Sequence, residues 1–223
     1  GERAVAIVDQ LLKLHAAPLF PPLVDYMQGM ETLIGLVRES AILPPKALFS
    51  LLSTFGTLKA VYPPADPDLV SSHNDLNPNN IVFDGARAWF VDWESAFAAD
   101  RYVDLATVAN CFAKGEAERE TVLLAYFGDA LDDYRRSRLF LMRQINRLFY
   151  ATVMLNAAAA ERPGARLTAA DLDVPRIADI EGEVGDLATY EGRVRVACVF
   201  LNEAVHDVAS AQFASASARV AAG

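Results

Sequence analysis

The stretch SHNDLNPNNIVFDGARAWFVDWESAF, Ser72 to Phe97, decides how this sequence is read. It opens with His-Asn-Asp, turns through Asn77-Pro78-Asn79-Asn80, and returns eleven residues later with Val-Asp-Trp-Glu. Between these polar clusters lie two short β-branched and aromatic runs, IVFD and AWFVD, separated by Asp84-Gly85. That pattern predicts a β-hairpin, because the Asp-Gly pair supplies the tight turn and the flanks favour extended chain. A hairpin of about five residues per strand brings the chain back beside its start. Asn80, before the first strand, and Asp92, ending the second, are therefore expected at one end of the ladder. Asp75 stands five residues before Asn80, across a turn that Pro78 helps to fix. Two carboxylates and an amide oxygen should converge on a small volume.

Oxygen ligands of that kind suit a hard cation such as Mg²⁺, which takes few protein ligands and fills its shell with water and phosphate oxygens. A carboxylate outside the metal shell can accept a proton from an attacking hydroxyl. His-x-Asp-x-x-x-x-Asn followed by a strand-terminal Asp is the layout of kinase phosphoryl transfer. Taken singly, each piece is ordinary turn chemistry or a strand end; the combination at these spacings is specific.

Working outward, the hairpin sits in a helical body. Ala4, Ile7, Val8, Leu11, Leu12 and His15 fall at helical spacing, and Pro18 closes that segment. A second helix is predicted over 24–38, and a third after Pro45 that ends before Pro63-Pro64. Beyond the hairpin, helices are predicted over 104–113, 116–127 and 131–160, with Arg162-Pro163-Gly164 as the stop. Residues 168–186 read as loop, a last helix runs from about 188 past 208, and the Ala- and Ser-rich end is expected to fray. Trp89 and Phe83 read as hairpin core, and Arg135, Arg136 and Arg138 as a solvated helix face. His15 reads as a packed or capping histidine, His206 as exposed, and Phe149 and Tyr150 as core before cation–π partners.

Composition narrows the classes. An apolar fraction of 53% over 223 residues supports a sizeable core. A net charge of −9 argues against nucleic acid as a partner and is compatible with a cationic substrate. Cys111 and Cys198 show neither metal spacing nor a disulfide framework. Neither a signal pattern nor an apolar run of spanning length occurs, so a cytoplasmic protein without membrane partners is expected.

HNDLNPNN with VDWE and DRYVDLA resembles the choline/ethanolamine kinase and aminoglycoside phosphotransferase family, strongly over 72–106 and more faintly through the helices of 4–60 and AYFG at 125–128. The resemblance implies an α+β fold, mainly helical with one short hairpin: the C-terminal lobe of a protein-kinase-like enzyme. It would form a single lobe over 1–223, with a catalytic-loop core at 1–128 and a helical substrate side at 129–223. It further implies Asp75 as the catalytic base, Asn80 and Asp92 as Mg²⁺ ligands, His73 bracing the loop and Asp104 supporting it from behind at the opening of a helix. Glu94 would face the substrate amine. Asn77 stands where protein kinases place Lys and aminoglycoside kinases often place His, so help to the phosphate from there would be a neutral hydrogen bond. The cofactors implied are Mg²⁺ and ATP, and the acceptor is a small hydroxyl compound of choline, ethanolamine or aminoglycoside type.

One departure bears on function. No Gly-x-Gly occurs, and Lys13, Lys46, Lys59 and Lys114 all sit in helical contexts. The nucleotide-gripping N-terminal lobe is thus expected to be absent from this chain. A non-catalytic binding module is the competing expectation, and association through an uncovered cleft wall a third.

Overall fold

The computed structural model describes residues 2–64, 68–85, 87–113, 115–180 and 184–222. Nine α-helices and four short strands are assigned among them. The chain divides into two compact units: Gly1–Asp25 with Tyr62–Arg143 and Ser215–Gly223, and Tyr26–Val61 with Gln144–Ala214.

The first unit holds the segment quoted above. Helix α1 (Glu2–His15) buries Ala4, Ile7, Val8 and Leu11, the three-and-four spacing of a helical stripe. That stripe packs on α4 (Arg101–Phe112) and α5 (Glu116–Phe127), and on strands β1 (Leu69–Ser72) and β3 (Ala88–Phe90). Strand β2 (Ile81–Phe83) pairs antiparallel with β3 in the register Ile81↔Phe90, Val82↔Trp89, Phe83↔Ala88. The turn between them is held by Asp84, whose side chain accepts from the Arg87 N–H at 2.8 Å and from Trp89 Nε1–H at 2.8 Å; Gly85 supplies φ 98°. Trp89 is therefore exposed and tied to the turn, and Phe83 is only half-buried, so neither is core.

A second ladder, not foreseen from the sequence, encloses the first. Strand β1 pairs antiparallel with β4 (Phe97–Asp100), from Leu69↔Asp100 to Ser72↔Phe97. The connections β1–β2 and β3–β4 are thus pinned together at both ends: Ser72 opposite Phe97, and the Asn80 carbonyl accepting from the Val91 N–H at 3.0 Å. His73, Asp75, Asn77, Asn80, Asp92 and Glu94 lie on these two connections. Asp100 then caps α4, accepting from the Tyr102 N–H at 2.9 Å. The helix consequently begins at Arg101, and Asp104 sits in its first turn instead of opening it.

In the second unit α2 (Tyr26–Ser40) packs on α3 (Pro45–Val61), and α3 and the one-turn α7 (Ala169–Leu172) pack on α8 (Tyr190–Val208). Met30, Ile34, Leu51, Leu58, Ala197, Cys198 and Leu201 are buried in it. The long α6 (Asp133–Glu161) supplies residues to both units. The C-terminal residues do not fray: they form α9 (Ala211–Ala222), which buries Ala216 and Val220, four residues apart on one face.

Candidate active site

The loop between β1 and β2 is suspended from one carboxylate. Asp104, fully buried, accepts from the His73 N–H on Oδ2 at 2.9 Å and from the Asn74 N–H on Oδ1 at 2.8 Å. Burial alone would raise this carboxyl. Hydrogen bonds from His15 and from the His73 backbone outweigh it and hold Asp104 below the ordinary aspartate value. Just after the two clamped amides the chain takes a conformation that side chains seldom adopt, with Asn74 at φ 64°. Asn74 stabilises it locally, its Nδ2 donating to the Ser95 and Phe97 carbonyls at 3.0 and 3.3 Å.

His73 is also buried. A carbonyl only accepts, so its Nε2 donates to the Val91 carbonyl, 3.0 Å away, tying the loop to the end of β3. Its ring lies against Phe90 and Trp93, with centroids 5.9 and 4.8 Å away.

Asp75 follows, half-buried, with both oxygens engaged. Asn77 Nδ2 donates to Oδ1 at 3.0 Å, and Asn80 Nδ2 donates to Oδ2 at 2.9 Å and to the Asp75 carbonyl at 2.9 Å. Asn77 also accepts the Asn79 N–H through Oδ1 at 2.9 Å, capping the single turn Pro78–Asn80. Its Oδ1 and one Nδ2–H are thus both engaged within the loop. Opposite, Asp92 leaves β3 at φ 63° and enters the turn Trp93–Ser95 without capping it, its side chain exposed. Glu94 is exposed on that same turn.

Asp75, Asn80, Asp92, His73, Asn77 and Asp104 thus fall on the two pinned connections or directly behind them. Among the described residues, no three His, Cys, Asp or Glu side chains cluster as a metal site by themselves. The donor set here is instead an amide oxygen and carboxylates, hard oxygen donors that suit Mg²⁺ with water and phosphate completing its shell. Both cysteines are inert by contrast, burial pushing each thiol up to about 12.

Two supports escaped the sequence. His15, packed as expected, sets Nε2 3.2 Å from Asp104 Oδ2 and Nδ1 2.6 Å from the Tyr126 hydroxyl. Arg138 is no part of a solvated face: its side chain is 0% exposed, and it bonds Asp68 and Asp100 at 2.5 Å each. Arg135 and Arg136 do pair near the surface, with Asp132 and Glu120. Burial pushes the Asp100 carboxyl up, with Arg138, the Tyr102 N–H and the Tyr62 hydroxyl pulling it back.

Comparison with known proteins places these features. The chain is similar to an aminoglycoside 3'-phosphotransferase of Escherichia coli, 34% identical over 80 residues that make up 35% of this chain and 30% of that protein. Its fold is similar to that of a choline/ethanolamine kinase family protein from Mesorhizobium loti, with TM-score 0.74 and 19% identity over 99% of this chain and 67% of that one. It is also similar to choline kinase LicA from Streptococcus pneumoniae, with TM-score 0.55 and 18% identity over 71% and 56% of the two chains. The chain therefore spans less than a third of the curated relative and between about half and two thirds of these solved kinases. Residues 1–140, which contain both connections and their buried anchor, match the profile of the phosphotransferase enzyme family, and the chain belongs to that family.

Proposed function

We propose that this protein transfers the γ-phosphoryl group of ATP to a hydroxyl of a small cationic molecule of choline, ethanolamine or aminoglycoside type. The observation that carries this reading is the fixing of both Asp75 oxygens by the Asn77 and Asn80 amides, on a loop pinned opposite Asp92. A carboxylate so held is a preorganised base. The acceptor oxygen attacks the γ-phosphorus, the bond to the β-phosphate oxygen breaks with ADP as leaving group, and the hydroxyl proton passes to Asp75. Asn80, through its amide oxygen, and Asp92 would hold Mg²⁺, which when bound neutralises phosphate charge. Asn77 positions Asp75 through one Nδ2–H, and any help to the phosphate from its second Nδ2–H would be a neutral hydrogen bond. Glu94, exposed beside Asp92, would face the cationic group of the acceptor.

The test is ADP release from Mg-ATP by the longest reading frame containing this chain, with choline, ethanolamine and several aminoglycosides as acceptors. Turnover with one acceptor is expected, falling about 10²–10⁴-fold in Asp75→Asn, the usual worth of a general base. A variant within a few-fold of wild type would overturn the assignment of the base. Silence together with no nucleotide binding would favour a non-catalytic binding module, the reading that the lack of a Gly-x-Gly motif motivates.

A further inference from the structure

The carboxylate from which the loop hangs has a partner outside the loop, and that partner has one of its own. His15 is the last residue of α1, and Tyr126 lies on α5. Tyr126, His15 and Asp104 form one chain of hydrogen bonds, 2.6 and 3.2 Å long. It is closed to water: the side chains of His15 and Asp104 are 3% and 0% exposed, and Tyr126 is buried.

The donor at one end follows from the carboxylate. Asp104, held ionised, only accepts, so His15 presents Nε2–H to it. Its Nδ1, 2.6 Å from the Tyr126 hydroxyl, carries the chain on to α5. Oδ2 of Asp104 then receives His15 and the His73 N–H together, while Oδ1 receives the Asn74 N–H. Without His15 the carboxylate could rotate, and both loop amides would lose their alignment. Those amides lead directly into the left-handed turn at Asn74 that delivers Asp75, so a small rotation at Asp104 displaces the base.

We infer that His15 and Tyr126 are positioning residues for the proposed phosphoryl transfer, acting through Asp104 on the loop that carries Asp75. The inference rests on the kinase reading of this site, so its test includes a readout that does not require turnover.

His15→Leu keeps an apolar volume and removes the donor; His15→Gln can return an amide N–H to Asp104; Tyr126→Phe removes only the outer hydroxyl. In the Leu variant kcat is expected to fall about tenfold with KM for both substrates within about twofold, and Gln to recover most of the loss. Tyr126→Phe should act in the same direction and more weakly. Amide hydrogen exchange at His73 and Asn74 should quicken about tenfold in His15→Leu, with the β2–β3 amides unchanged. If His15→Leu does not fold, Tyr126→Phe and His15→Gln carry the same comparison.

Unchanged exchange at His73 and Asn74, or unchanged kcat in an active enzyme, would overturn the inference. Quickened exchange in a protein that turns over no acceptor would sustain the positioning contact while sinking the kinase reading.

Discussion

Arg138→Met should cost this protein about 3 kcal/mol of stability, a figure that follows from what the guanidinium leaves behind. Its Nη1 and Nη2 lie 2.5 Å from Asp68 and Asp100, and its plane stacks near the Tyr62 and Tyr102 rings, 5.1 and 4.8 Å from their centroids. Breaking a buried ion pair by removing one partner costs about 3–5 kcal/mol, because a desolvated charge remains. Two features set the value at the lower end. Asp100 keeps the Tyr62 hydroxyl at 2.7 Å and the Tyr102 N–H at 2.9 Å. Asp68 is 21% exposed and keeps Arg101 at 3.1 Å. The penalty therefore concentrates on Asp100, and adding Asp100→Asn should recover about half of it by removing the charge while an amide oxygen still caps α4. Equilibrium urea unfolding at pH 7 of wild type, the single variant and the double variant measures both quantities. A single variant within about 1 kcal/mol of wild type, or a double variant no better than the single, would refute the reasoning.

Asp104→Asn should lose about 3 kcal/mol at pH 7, as two charge-assisted hydrogen bonds weaken and an amide replaces an acceptor. The folded Asp104 carboxyl lies below its unfolded value, so its stabilisation is present above that unfolded value of about 3.9 and is lost as pH falls through the folded one. The gap between wild type and variant, followed by unfolding at successive pH values, should therefore close only in strong acid; a gap that closes near pH 6 would contradict this. Asn74→Gly should cost about 1–2 kcal/mol, because relief at φ 64° does not replace two hydrogen bonds to the Ser95 and Phe97 carbonyls. Asn74→Ala should cost about 1 kcal/mol more, since a Cβ opposes that φ; thermal melts that rank Ala above Gly would count against the strained turn.

What the sequence made legible was local. The hairpin announced itself through Asp84-Gly85 and the β-branched residues around it, and the register that followed brought Asn80 beside Val91. Helical stripes such as Ala4, Ile7, Val8 and Leu11 needed only their own spacing. Strands β1 and β4 were invisible because LVSS and FAAD carry small residues buried on both faces, with no alternation to read. Arg138 was misread because its partners Asp68 and Asp100 are 70 and 38 residues away, while its neighbours Arg135 and Arg136 do face outward. His15 looked like any histidine on an apolar stripe, since Asp104 and Tyr126 lie 89 and 111 residues away. Pairing of buried charge is set by the fold, and no local pattern encodes it.

The same physics separates the acids of this region by task. Six acidic residues fall between Asp75 and Asp104, alike in the sequence and unlike in the structure. Asp100 and Asp104 are desolvated, and each is held in the fold by three donated hydrogen bonds, which commits it to structure. Asp84 spends its oxygens on the hairpin turn. Asp92 and Glu94 stay in water, where an incoming cation displaces only solvent. Asp75 lies between these limits: half-buried, held by neutral amides, and oriented without being neutralised by them. The proposed role of Asp75 as proton acceptor suits that intermediate state, because full burial would demand a fixed donor and full exposure would leave its direction to chance.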